Sequence, residues 1–264
     1  MKIRIAISPC PNDVFIYSGL ITKEIATDEI EWDFTFLELE YLNRAAVHKQ
    51  YDVVKISYAH FPRVQKDYQL LPCGGAMGRN CGPLLITGGN PFDANLEILI
   101  PGQYTTAHLL LVTYLQRVLG PQAEKIKKRF LPFDKIYSAL QANPSAQGVI
   151  IHEMRFTYVG DGLKLVQDLG ENWESQTGFP IPLGALVMRN TLSDFKSLIE
   201  SQVRKSLSWA YSNSNQALKL CRQHSQSMDE SVLQAHISLY VNDFSRDVGS
   251  EGNDAIQFLL RMAQ

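Results

Sequence analysis

His152 closes the apolar run GVII (148–151), where a strand of a parallel sheet delivers its last residue towards a ligand. An imidazole titrates near ~6.5 and can accept a proton at neutral pH, so His152 is the candidate general base. Glu153 follows directly, but on a continuing strand it faces the other way and is not read as an orienting carboxylate. Lys55 and Ser57 lie two apart in VVKIS and share one face of an apolar strand. A buried ammonium needs a partner; an internal acid and a ligand are both open. Thr105 and Thr106 open an apolar helix, where a hydroxyl is first of all a cap. The same helix start is also an anion site, and Ala107 is small enough for a carboxylate to approach. Asn12 and Asp13 follow the PCP turn at the equivalent place and read as caps. Of the other five histidines, His48 and His236 fall on helices, His60 and His108 follow candidate ligand residues, and His224 lies in a helical tail.

These residues recur at matching places because the chain repeats its plan. Residues 3–20 and 98–115 each run strand, turn, helix; 41–57 and 136–152 each run helix, turn, strand. Strand signals fall at 3–7, 32–37, 53–56, 84–87, 97–100, 148–151 and 184–188, with helices at 13–25, 41–49, 106–119 and 135–142. Such alternation predicts α/β lobes with mostly parallel, doubly wound sheets. From 192 onward the pattern is helical only, with helices expected through 195–210, 229–240 and 254–263. The tail can finish against lobe one if the chain crosses to lobe two near 88–91 and returns near 180–184. The expected architecture is therefore a two-lobed periplasmic-binding-protein type II-like fold with a two-stranded hinge and a helical C-terminal tail. Lobe one takes 1–88 plus 185–264 and lobe two takes 89–184. Strand ends facing a cleft between the lobes would bind a small ligand.

Composition narrows the partners. Formal net charge is −2, with 45% hydrophobic and 20% charged residues, so neither a basic stripe nor a nucleic-acid module is indicated. The KIKKR run at 125–129 reads as the solvated end of a helix. No apolar run approaches the ~18 residues of a membrane span. The opening MKIRIAIS alternates like a strand rather than a signal sequence, so a cytoplasmic location is expected. Cys10, Cys73, Cys81 and Cys221 form no metal-ligand spacing and read as buried free thiols. No Walker loop, nucleophile elbow or dinucleotide fingerprint is present. The glycine-rich GGAMGRNCG (74–82) reads as a loop shaping the hinge, from which Arg79 could reach the cleft. The helical tail offers a surface that would serve a homodimer, without demanding one.

SPCPNDVFIYSGL (8–20), DVVKISY (52–58), GAMGRNCGPLL (75–85), TTAHLLL (105–111), GVIIHEMRFTY (148–158), PIPLGALVMR (180–189) and HISLYVNDFSRDVGSEG (236–252) together resemble the 1,4-dihydroxy-6-naphthoate synthase family of the futalosine route to menaquinone. The resemblance runs nearly end to end. It implies a carbon–carbon lyase that converts cyclic dehypoxanthinylfutalosine, a carboxylated small molecule, to 1,4-dihydroxy-6-naphthoate and dihydroxyacetone. It implies no metal or organic cofactor. Carried over by motif, His152 is the proton acceptor, while Lys55, Ile56, Ser57, Thr106 and Ala107 line the substrate site. The chain departs from the family pattern at Val14 and at the Val53–Val54 pair, where the family carries threonine. Two other readings share the architecture: a chorismate dehydratase of the same pathway, and a non-catalytic solute-binding protein for a small organic acid.

Overall fold

The structure, a computed structural model, describes residues 1–25, 29–224 and 229–263. The chain folds into two compact units, 1–78 with 182–264 and 79–181. The first crossing thus lies earlier than 88–91, and the second unit is 79–181 rather than 89–184.

The first unit opens with β1 (Lys2–Ile7), α1 (Pro11–Ile21), β2 (Glu31–Phe36), α2 (Leu39–Val47) and β3 (Val53–Ser57). Then come α3 (Phe61–Val64), β4 (Tyr68–Leu70) and β5 (Ala76–Gly78). The second unit holds β6 (Leu84–Thr87), β7 (Ile98–Ile100), α4 (Thr106–Leu119), β8 (Lys128–Phe130), α5 (Phe133–Ala142) and β9 (Gln147–Ile150). It ends with α6 (Met154–Thr157), β10 (Lys164–Asp168) and α7 (Leu169–Thr177). The chain returns through β11 (Ile181–Arg189). It finishes with α8 (Lys196–Ser212), α9 (Ser214–His224), α10 (Glu230–Tyr240), α11 (Asp243–Arg246) and α12 (Gly249–Met262).

The repeat is visible in the strand order. The first sheet runs β2-β1-β3-β11-β4, with β5 beside β11; the second runs β10-β6-β9-β7-β8. In each, one strand lies next to an edge and pairs in parallel with both neighbours: β1 with β2 and β3, β7 with β8 and β9. In each, an antiparallel strand then adds to the third: β11 on β3, β6 on β9. The sheets are therefore mixed rather than mostly parallel. Parallel pairing requires a crossover connection, and β11 and β6 reach their sheets along the segments that pass between units. The pairing of β6 with β9 and β10 is what places the boundary before it.

Alternation in β1 buries Ile3, Ile5 and Ile7 in the first core, against Val14, Ile16, Tyr17 and Leu20 of α1 and Ile199, Val203, Leu207 and Ala210 of α8. The tail packs on the first unit, as its apolar stripe requires. Gly19 permits this approach: a Cβ there would meet Ser206 Cα at 3.2 Å. The second core gathers Leu84, Ile86, Leu99, Ile136, Leu140, Ile150 and Leu163.

The KIKKR run departs from expectation. α4 ends at Leu119, Gly120 takes a φ of 56°, and Lys128 and Arg129 lie on β8 at the sheet edge. Charged residues suit an unpaired edge, and Arg129 pairs with Glu97 at 3.6 Å. All four cysteines are buried and free. Burial pushes the thiols of Cys73, Cys81 and Cys221 up to about 12.

Candidate functional site

In the second unit, α4 begins where the sequence places it. Thr105 is the cap: its Oγ1 accepts from His108 N at 3.2 Å and donates to Gly102 O at 2.9 Å. Thr106 is already inside the helix, buried, with Ala107 buried beside it. The Thr105 cap thus uses the third amide of the helix, not those of Thr106 and Ala107. Those two residues sit at the positive end of the helix dipole, the arrangement that favours an anion. His108 Nδ1 lies 2.8 Å from Gln103 O, and its ring meets Phe130 edge-on at 5.2 Å.

His152 does not continue the strand. β9 ends at Ile150, and His152 takes a φ of 60°, in the left-handed region. Glu153 then leads into α6, so strand alternation does not govern where it faces. A left-handed conformation costs a non-glycine residue about 1–2 kcal/mol. Such strain is retained where neighbours hold it and function uses it. Here the neighbours are identifiable. Phe133, first residue of α5, meets the imidazole edge-on at 5.1 Å. Arg155 follows His152 closely and donates through Nη1 to Gly82 O at 2.6 Å and through Nη2 to Asp168 Oδ2 at 2.5 Å. Asp168 is itself fixed, because its other oxygen accepts from Gly170 N and Glu171 N as the cap of α7. Sequence reasoning missed Arg155 and Asp168; the only signal was an arginine three residues past the histidine.

In the first unit, Lys55 resolves in favour of the internal acid. Its Nζ lies 2.5 Å from Asp13 Oδ1 and donates to Gly74 O at 3.0 Å. Asp13 also accepts from Ser8 Oγ at 2.7 Å, Ser8 N at 3.2 Å and Asn12 Nδ2 at 3.0 Å. Asn12 Oδ1 in turn meets His236 Nε2 of α10 at 3.1 Å. Asn12 and Asp13 are therefore not caps. The residue before α1 is Cys10, Pro11 starts the helix, and both polar side chains turn into the interior. Gly184, paired with Ser57 across β11, leaves room for the lysine: a Cβ there would sit 3.0 Å from Lys55 Cε.

Ser57 is buried at the end of β3 and is held by Asn43 of α2. Asn43 Nδ2 donates to Ser57 Oγ at 3.2 Å, and Ser57 N donates to Asn43 Oδ1 at 2.9 Å. Ile56 between them is fully buried. Asn43 was legible only as an anomaly, an amide within the apolar stripe of Leu39, Leu42 and Ala46. Arg79, expected to reach a cleft, donates to Gly178 O at 3.0 Å and pairs with Glu174 at 3.8 Å within the second unit.

Among the described residues, no group of three or more His, Cys, Asp or Glu side chains is arranged to hold a metal ion, and no helix is long and apolar enough to cross a membrane. The chemistry on offer is a strained, partly buried imidazole, a helix start suited to a carboxylate, and an oriented serine hydroxyl.

Known proteins resemble the chain along its whole length. A family model described as menaquinone biosynthesis matches residues 3–264. A 1,4-dihydroxy-6-naphtoate synthase of Streptomyces coelicolor is 38% identical, covering 99% of this chain and 92% of that protein. A protein of the same name from Thermus thermophilus is 36% identical, covering 99% and 94%. A crystal structure from Archaeoglobus fulgidus superposes with a TM-score of 0.89 at 30% identity, covering 99% of this chain and 96% of that one. The periplasmic aliphatic sulphonate binding protein of Escherichia coli superposes with a TM-score of 0.70 at 11% identity, covering 99% and 86%. That last likeness concerns the fold alone, which is the two-lobed binding-protein fold.

Proposed function

Because this chain belongs to the menaquinone-biosynthesis family, we propose that it converts cyclic dehypoxanthinylfutalosine to 1,4-dihydroxy-6-naphthoate and dihydroxyacetone. The strongest single support is the 36% and 38% identity to two proteins named for that product over 99% of this chain.

His152 removes a proton from the substrate and opens a retro-aldol-like fragmentation. The carbon–carbon bond to the sugar-derived fragment breaks, dihydroxyacetone leaves, and the second ring becomes aromatic, which drives the step. The left-handed turn presents the imidazole beyond the end of β9, and the Phe133 ring and the Arg155 anchor restrict its motion. A base held in one place loses little to misalignment. Thr106 and Ala107 hold the substrate carboxylate or a developing oxyanion at the α4 start, where fixed donors need no reorganisation. Ser57 donates a further hydrogen bond. Lys55 and Ile56 act from behind it: the ammonium fixes α1 and the 74 turn to β3, and the isoleucine fills the core beneath.

Incubating the purified protein with cyclic dehypoxanthinylfutalosine and, separately, with chorismate tests this reading. Naphthoate and dihydroxyacetone should appear in equal amounts from the first, with chorismate unchanged. Consumption of chorismate alone would make the protein a dehydratase. Tight binding of the first compound without turnover would make it a binding protein.

A further inference from the structure

The Asn43 side chain spends both ends of its amide on one residue, and this constrains what Ser57 can offer. A main-chain N–H can only donate, so the Asn43 atom 2.9 Å from Ser57 N must be the amide oxygen. The other amide atom, 3.2 Å from Ser57 Oγ, is then the NH2 group, which can only donate. Ser57 Oγ must therefore accept from Asn43, and its own proton points elsewhere. Among the described residues the structure gives that proton no acceptor. A buried donor without an acceptor carries a desolvation penalty that a ligand oxygen would remove.

Asn43 is itself held firmly. It is fully buried on α2 between Leu42 and the Ala45–Ala46 pair. The amide thus has little freedom to rotate and reverse its ends.

We propose that Asn43 is a positioning residue that fixes Ser57 as a hydrogen-bond donor, through its hydroxyl and not its main chain, towards an anionic or carbonyl oxygen of the substrate. The inference rests on Ser57 touching the substrate. Asn43 touches nothing that reacts. It consumes the Ser57 N–H and one hydroxyl lone pair, which leaves a single donor with a defined direction. A site that has already chosen donor polarity discriminates against ligands that present a donor there.

The near-isosteric Asn43→Asp variant inverts the polarity. A carboxylate accepts from Ser57 N and from the Ser57 hydroxyl, turning the proton away from the substrate. Asn43→Ala instead frees the hydroxyl to rotate, so it can still donate. The account predicts that N43D raises KM for cyclic dehypoxanthinylfutalosine by about tenfold or more, with a smaller change in kcat. N43A should raise KM less than N43D, although it removes both hydrogen bonds and leaves a cavity. In a Ser57→Ala background, N43D should add less than a factor of about two. Circular dichroism and melting confirm that each variant is folded; should N43D not fold, N43A is carried through the same cycle and its effect must vanish in S57A. An N43A effect as large as that of folded N43D, or an Asn43 effect undiminished in S57A, would overturn the positioning role while leaving Ser57 as a contact. An unchanged KM in S57A alone would instead remove Ser57 from the substrate site, and the inference with it.

Discussion

Lys55 Nζ and Asp13 Oδ1 lie 2.5 Å apart inside the first unit, with both side chains almost wholly buried. The pair ties β3 to the first turn of α1, and the lysine's second bond, to Gly74 O, adds the turn that Tyr17 also holds from its hydroxyl at 2.8 Å. Removing one member leaves the other charge uncompensated. Lys55→Met and Asp13→Asn should each destabilise the protein by about 3–5 kcal/mol. The double variant should cost less than the sum, because the second change removes a charge already stranded. Urea denaturation of all four proteins measures this; additive losses would mean the ion pair contributes no coupling.

The His152 backbone makes a different prediction, one that separates strain from chemistry. Glycine is at ease at a φ of 60° and alanine is not. His152→Gly should therefore be more stable than His152→Ala by about 1 kcal/mol. Both should lose turnover to the same extent. A glycine variant no more stable than the alanine one would show that the turn is not strained.

Two adjacent threonines divide the roles that either could have filled. Thr105→Ala removes the cap of α4 and should cost about 1 kcal/mol of stability. Thr106→Val leaves the cap intact. It should weaken binding of carboxylated ligands more than of their decarboxylated analogues, as isothermal titration would show. Equal weakening of both ligand classes would confine Thr106 to a structural part.

His60 sets a pH dependence of stability. Burial pushes its imidazole down to about 4 from an ordinary 6.5. Above 6.5 the ring is neutral whether the chain is folded or not, so its contribution is complete there. Between 6.5 and about 4 the unfolded chain takes up a proton that the folded chain refuses, and stability falls as pH falls. Burial lowers His108 in the same direction. The urea midpoint should drop between pH 7 and pH 4.5, and His60→Gln should flatten part of that slope. An identical slope in the variant would assign the loss to other groups.

Much of this architecture was legible in the chain. The alternation of Ile3, Ile5 and Ile7 announces β1, and α4 occupies 106–119 as its apolar spacing predicts. The repeat of strand, helix and strand is a property of pattern, and pattern is what a sequence displays. Three of the short strands were not legible. β4, β5 and β8 have three residues each, too few for a period of two to show, and the lysine and arginine of β8 resemble a helix end; β7 is as short but showed through its unbroken apolar run. In the site, Lys55 declared its need for a partner, but no local rule connects it to Asp13. Strand periodicity carries no information about where a pleat stops, so the left-handed turn at His152 and its anchor on Asp168 emerged only in three dimensions. Asn43 was hidden for another reason: inside an apolar stripe, a single amide reads as a tolerated exception until its two bonds to Ser57 are seen.

The central claim is that His152 takes the substrate proton. The direct measurement is single-turnover conversion of cyclic dehypoxanthinylfutalosine by the His152→Ala variant, alongside its affinity for the same compound. The account predicts a rate lower by about 10²-fold or more with affinity largely retained. Turnover at the wild-type rate in that variant would contradict it.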